Sequence, residues 1–178
     1  MISNPQDLDR LLAPDFVEGL SDMALADLRE RRHQCEEVEV ALSYVRRMAQ
    51  GRLDLIHAES ARRISGEPVP DDLVDQLSTA LAHNVTAPGA GRLASVMAPD
   101  MESSNLMVDL DSIVGPAQLA SPEELGQDDL DALIEALAAY EAAISAQRRA
   151  LHERIDSIQA EVVRRYKSGE ASIDTLLK

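Results

Sequence analysis

The chain has 178 residues and a formal net charge of −15, with 17 Lys and Arg against 32 Asp and Glu. That balance excludes a nucleic-acid or anionic-lipid surface as its business and favours basic partner proteins, or proteins that themselves hold DNA. Aromatic residues are only 2%, which argues against a thick globular core, and a single cysteine excludes an internal disulfide.

No apolar run approaches the ~20 residues of a membrane span, and the start MISNPQDLDR lacks the basic residues and apolar core of a signal peptide. The expected setting is the cytoplasm, without membrane association or direct DNA binding. At this length the chain is most simply one helical domain, residues 1–178.

Residues 1–20 contain Pro5 and Pro14 and predict only short helical turns. From Ser21, a good N-cap residue, one helix is predicted over 21–65, stopped by Gly66 and Pro68. A connector follows over 66–120. It begins with a short helix predicted from Asp71 to His83, and 84–120, rich in Gly, Pro and Ser, reads as loop with at most short turns. Within that loop Leu106, Met107, Val108, Leu110, Ile113 and Val114 are expected to pack on the helices or on a partner. The second long helix is predicted over 121–167 from the sequence SPEEL, with Ser121 as N-cap, Pro122 at the first helical position and Glu124 completing a capping box. Residues 168–178 form a tail long enough for one or two amphipathic turns.

In the first long helix Cys35, Val38, Leu42, Val45, Ala49 and Ile56 follow alternating steps of three and four, with Arg52 in the one missing place. This is a heptad seam. The second helix repeats it with Leu130, Leu133, Leu137, Tyr140, Ile144, Leu151 and Ile158, interrupted by Gln147 and Arg154. At 1.5 Å per residue each helix is ~65 Å long, and neither seam can stay exposed, so the two are expected to pack as a coiled coil. Periodicity leaves their direction open, while an antiparallel hairpin costs the least loop closure. The predicted fold class is therefore all-α, two long helices in an antiparallel coiled-coil hairpin.

Beside the first seam lies a polar stripe, Glu39, Ser43, Arg46, Gln50 and Asp54, confined to roughly 80° of the helix surface. With Cys35 at heptad position a, these residues fall at e, b, e, b and f, flanking the seam without entering it. The second helix carries Glu141, Ser145, Arg148, His152 and Asp156 at the same spacing. Sliding the chain on itself by 102 residues aligns 39–63 with 141–165, and 12 of the 25 positions are identical, where unrelated helices would share about one in ten. The chain thus holds an internal duplication. Ten of its 17 basic residues lie in the two copies.

A polar stripe outside a coiled-coil seam is ordinarily a solvated face. Two facts oppose that reading here. The stripe keeps four of its five residue types while its neighbours drift, Cys35 to Leu137, Val45 to Gln147 and Met48 to Ala150, and it lacks the Glu to Lys i,i+4 pairs of plain surface helices. Other candidates are weaker: His33, His57 and His83 stand apart, and Met97, Met101 and Met107 suit adaptable packing better than a cofactor. No phosphate loop, no metal-spaced His/Cys set and no activated nucleophile is visible, so neither an enzyme nor a catalytic or metal site is expected.

The pattern Glu-x3-Ser-x2-Arg-x3-Gln-x3-Asp, present twice in one chain, resembles the cyclic di-GMP signature of the RsiG family of anti-sigma factors, which restrain the sporulation sigma factor WhiG in filamentous actinobacteria. The first copy matches at Glu39, Ser43, Arg46, Gln50 and Asp54, and the second departs from it only at His152, where the pattern has Gln. The resemblance implies an antiparallel coiled coil with cyclic di-GMP, as an intercalated pair, between it and the sigma factor, and a ligand set of Glu39, Ser43, Arg46, Gln50, Asp54, Glu141, Ser145, Arg148, His152 and Asp156.

The chemistry suits that ligand. Guanine offers N7 and O6 to a fork of donors such as Arg46 or Arg148, and its N1 and N2 donors suit Asp54 or Asp156. An arginine can instead stack on a purine or pair with phosphate. Ser43, Ser145, Gln50 and His152 can donate to phosphate or ribose oxygens, while Glu39 and Glu141 can accept from guanine or hold an arginine in place. The competing expectation is a structural coiled-coil adaptor with no small-molecule ligand, which direct titration with cyclic di-GMP separates from the first.

Overall fold

A computed structural model of the chain describes residues 5–66, 68 and 105–170. The helix expected over 71–83, residues 84–104 of the expected loop and all but the start of the tail lie outside the described residues, as do His83, Met97 and Met101. Among the described residues the chain is all helical: α1 (Pro5–Leu12), 3-10 turns at Pro14–Val17 and Leu20–Asp22, α2 (Leu25–Ser65), α3 (Asn105–Ile113), α4 (Pro116–Ala120), a 3-10 turn at Pro122–Glu124, and α5 (Gln127–Ser168). Helices α2 and α5 are the two long helices of the expected hairpin. Each ends at a glycine with positive φ, Gly66 at 72° and Gly169 at 77°, a conformation that closes the last turn without a Cβ clash.

The chain divides into two compact units, and the division cuts both long helices. The first unit draws on Met1–Ser43 and Ile144–Lys178, so it takes α1, the front of α2 and the back of α5. Its buried apolar side chains include Leu11 of α1, Leu28, Cys35, Val38 and Leu42 of α2, and Ile144, Leu151 and Ile158 of α5. Arg29 donates to Tyr166 and Arg32 to Gln159, while Arg148 reaches Glu39. Numbers rise along α2 as they fall along α5, so the helices run antiparallel.

The second unit is Tyr44–Ala143, holding the back of α2, α3, α4 and the front of α5. Val45, Ala49, Ile56, Leu110, Val114, Leu130 and Leu137 are its buried apolar residues among the described ones. Arg46 meets Glu141, and Arg63 reaches the carbonyls of Pro122 and Glu123, again an antiparallel order. Both seams are therefore buried as predicted, apart from Leu133 and Tyr140, which are half-buried.

The duplication reaches further than the sequence comparison showed. Arg154 donates to the carbonyl of Leu12 at the end of α1, and Arg52 donates to that of Val114, just past α3, at 2.7 Å. Donors and acceptors are each 102 residues apart. Likewise Arg165 binds the carbonyls of Leu20 and Ser21 at 2.7 and 3.1 Å, and Arg63 binds those of Pro122 and Glu123, both at 3.2 Å. Each unit thus repeats one plan, made from the front of one repeat and the back of the other.

These contacts explain where the structure departs from the expected boundaries. Ser21 and Ser121 do not cap the long helices: Ser21 lies inside a 3-10 turn, Ser121 makes no side-chain cap bond, and the helices start at Leu25 and Gln127. An extended residue, Met23 in one copy and Leu125 in the other, separates turn from helix. The carbonyls of each turn go to an arginine from the far end of the other long helix, a tertiary demand that local capping signals do not contain. A second departure is α3, a helix where loop was expected. Nine residues make a marginal helix alone, but Leu110 and Val114 are fully buried, and Tyr140 donates to the carbonyl of Leu106 at 2.7 Å. Of its apolar residues, Val108 stays 56% exposed.

Candidate functional site

Both polar stripes sit where α2 and α5 run side by side, and the antiparallel order crosses them. The Glu and Ser of the first motif meet the Arg and His of the second in the first unit, while the Arg and Gln of the first motif meet the Glu of the second in the second unit. These bonds join Glu39, Ser43, Arg148 and His152 in one cluster and Arg46, Gln50 and Glu141 in the other. Asp54 and Asp156 are exposed and Ser145 is half-buried, and Asp54 and Ser145 have contacts of their own.

In the first unit the centre is Glu39. Its Oε1 accepts from Nε and Nη2 of Arg148 at 3.0 and 2.7 Å and from the hydroxyl of Ser43 at 2.7 Å, and Nε2 of His152 lies 3.4 Å away. Burial pushes the Glu39 carboxyl up, but the hydrogen bonds from Ser43 and Arg148 and the charges of Arg148 and His152 outweigh it and hold the group below its ordinary value of 4.5. The carboxylate is therefore ionised at neutral pH. Ser43 is only 9% exposed, so the stripe does not merely flank the seam as expected; at Ser43 it enters the packed interface. The Ser43 hydroxyl donates to the Glu39 oxygen that Arg148 of α5 also binds.

In the second unit the centre is Glu141. Nη1 of Arg46 and Nε2 of Gln50 both lie 3.4 Å from its Oε1, the long end of the hydrogen-bond range. Nε of Arg46 is buried without a hydrogen-bond partner. This cluster has the same residue types in the same places, except that Gln50 stands where the other has His152, and its arginine stands farther from the glutamate.

What sequence reasoning missed is this exchange between motifs. Each arginine is held by the glutamate of the other copy, Glu39 with Arg148 and Glu141 with Arg46, a pairing visible only once helix direction and register are known. It also passed over Arg52, Arg154, Arg63 and Arg165, read as seam interruptions or plain charge, which bind the carbonyls of the flanking turns. Their identity in both copies was the available signal.

Chemically, two half-buried guanidinium forks, each backed by a carboxylate and flanked by an amide or imidazole, are equipped to read a purine edge or a phosphate. Among the described residues no group of His, Cys, Asp and Glu is placed to hold a metal ion, and no helix is long and apolar enough to cross a membrane. A family model described as RsiG-like matches residues 14–81 and 116–178, well over half of the chain and including both long helices. No curated protein matches the chain.

Proposed function

Because the chain belongs to the RsiG-like family, a family of anti-sigma regulators, we propose that it is an anti-sigma factor that binds cyclic di-GMP through its two motifs and, with the ligand between the proteins, sequesters a WhiG-type sigma factor. The observation that carries this reading is the exchange of partners between the motifs: the duplication has kept an arginine facing a glutamate in both units. A solvated face has no reason to keep both halves of such a pair twice.

In this reading Arg46 and Arg148 read guanine O6 and N7, Asp54 and Asp156, exposed one turn or more along the helix, accept from N1 and N2, and Ser43, Ser145, Gln50 and His152 serve phosphate and ribose oxygens. A pair of ligands brings four negative charges to a protein of net charge −15, which is costly alone. A sigma factor's basic DNA-facing surface offsets them. The ligand then acts as an adhesive, and sequestration depends on it.

The regulator is cytoplasmic in this reading, since its partner is a subunit of RNA polymerase. Size-exclusion of the chain with a co-expressed WhiG-type sigma factor, with and without cyclic di-GMP, tests the proposal. A stable complex is expected only with the nucleotide; equal complex formation in both samples would refute ligand dependence.

A further inference from the structure

The two arginines are held by different edges. A guanidinium has a side fork, Nε with Nη2, and an end fork, Nη1 with Nη2, and its planar frame lets both be used at once. Arg148 gives its side fork to Glu39 Oε1, at 3.0 and 2.7 Å, and the same oxygen is braced by the hydroxyl of the buried Ser43. This fixes the plane of the guanidinium and leaves Nη1 out of the Glu39 bonds, so the end fork remains for a pair of acceptors. Arg46 is held the other way. Its contact to Glu141 uses Nη1, a member of the end fork, at 3.4 Å, while Nε of its side fork is buried without a partner.

We propose that Glu39 is a positioning residue that acts through Arg148, so that the first unit's cluster is preorganised for a guanine nucleotide, whereas the second unit's cluster must release Arg46 from Glu141 and assemble around the ligand. This rests on the reading of the motifs as cyclic di-GMP sites and deepens it: Glu39 buttresses the arginine and does not touch the nucleotide. A fork fixed beforehand loses less side-chain freedom on binding than one that must first exchange partners. The two copies of one motif therefore contribute unequally, although their residue types are nearly the same.

The test titrates cyclic di-GMP into the full chain by calorimetry, comparing wild type with Glu39→Gln and Glu141→Gln. Helical content is followed by circular dichroism, and the ligand-free arginine Nε–H signals are recorded by nitrogen-15 NMR. Glu39→Gln is expected to weaken binding about tenfold, the scale of one charge-assisted hydrogen bond, and Glu141→Gln by less than about threefold. In the spectra the Nε–H of Arg148, identified by its absence in Arg148→Lys, is expected to exchange slowly in the wild type and fast in Glu39→Gln. Should the Gln variant lose helicity, Ser43→Ala removes the brace and is expected to speed exchange of the Arg148 Nε–H in the ligand-free chain, a readout that a contact of Ser43 with the ligand would not move.

Binding by Glu39→Gln as tight as wild type or tighter overturns the proposal and makes Glu39 a competitor of the ligand. Equal losses in the two Gln variants, or unchanged exchange in Ser43→Ala, overturn it as well. Absence of binding by the wild type is a different result: it overturns the cyclic di-GMP reading itself, and this inference with it.

Discussion

The two units use one plan twice and achieve different tightness. In the first, the glutamate takes three hydrogen bonds at 3.0 Å or less on a single oxygen; in the second, its counterpart meets the equivalent arginine and amide at 3.4 Å. Of the anchoring arginines, Arg165 and Arg63 differ in the same direction, while Arg52 of the second unit is buried and its counterpart Arg154 only half-buried. Arg165 of the first unit is buried and binds the carbonyls of Leu20, Ser21 and Met23, the shortest at 2.6 Å, while Arg63 of the second is half-buried and binds carbonyls at 3.2 Å. Duplication copied residue types, but distances follow from packing around them, and that packing has diverged. The neighbours of the second cluster include Val45 and Met48, where the other copy has Gln147 and Ala150.

Opening a seam disrupts both units most severely. Leu42→Asp in the first unit and Leu137→Asp in the second each place a carboxylate where no side-chain surface is exposed, at a cost of at least about 4 kcal/mol. Because α2 and α5 pass through both units, each variant is expected to lose helical signal in one melting transition. Two separate transitions would mean that the units unfold independently. The double replacement Arg46→Ala with Arg148→Ala comes next. Both side chains lie beside the seam, so helicity should stay at the wild-type level while affinity for cyclic di-GMP falls more than about a hundredfold, near 3 kcal/mol. A loss of helicity would show that these arginines hold the fold.

A finer comparison sets Arg165→Ala against Arg63→Ala. The first leaves three carbonyls without their donor in a buried place and is expected to cost about 2–3 kcal/mol; the second, half-buried and with longer bonds, about 1 kcal/mol. Denaturant midpoints measure both, and an equal loss would contradict the closer grip of Arg165 on its carbonyls. Acid offers a test of Glu39 alone. Its carboxyl is held below 4.5 in the folded chain, so its contribution is present above that pH and is lost as pH falls below it. Wild type should lose melting temperature between pH 5 and pH 3 more steeply than Glu39→Gln, and parallel curves would remove Glu39 from the acid response.

The smallest effect concerns His152. It is 53% exposed by side chain, and its Nε2 lies 3.4 Å from Glu39. His152→Gln restores the residue type of the other copy, and because imidazole and amide can both donate to a phosphate or ribose oxygen, affinity for cyclic di-GMP is expected to change less than about threefold. A larger change by calorimetry would show that the two side chains are not interchangeable at this place.

By itself the sequence determined the two long helices, their buried seams, the five-residue stripes and their duplication, because each rests on period and spacing, which a helix converts into faces without outside help. Most seam residues, from Cys35 to Ile158, are buried where the heptads put them. The remaining features come from packing between distant segments. The starts of α2 and α5 moved past Ser21 and Ser121 because distant arginines bind the carbonyls there, and α3 formed within an expected loop because Leu110 and Val114 found a core to enter. The exchange of Glu39 with Arg148 and Glu141 with Arg46 belongs to the same class. It depends on the direction and register of two helices more than 90 residues apart in sequence, and a hydrophobic seam of period 3.5 reads alike in either direction.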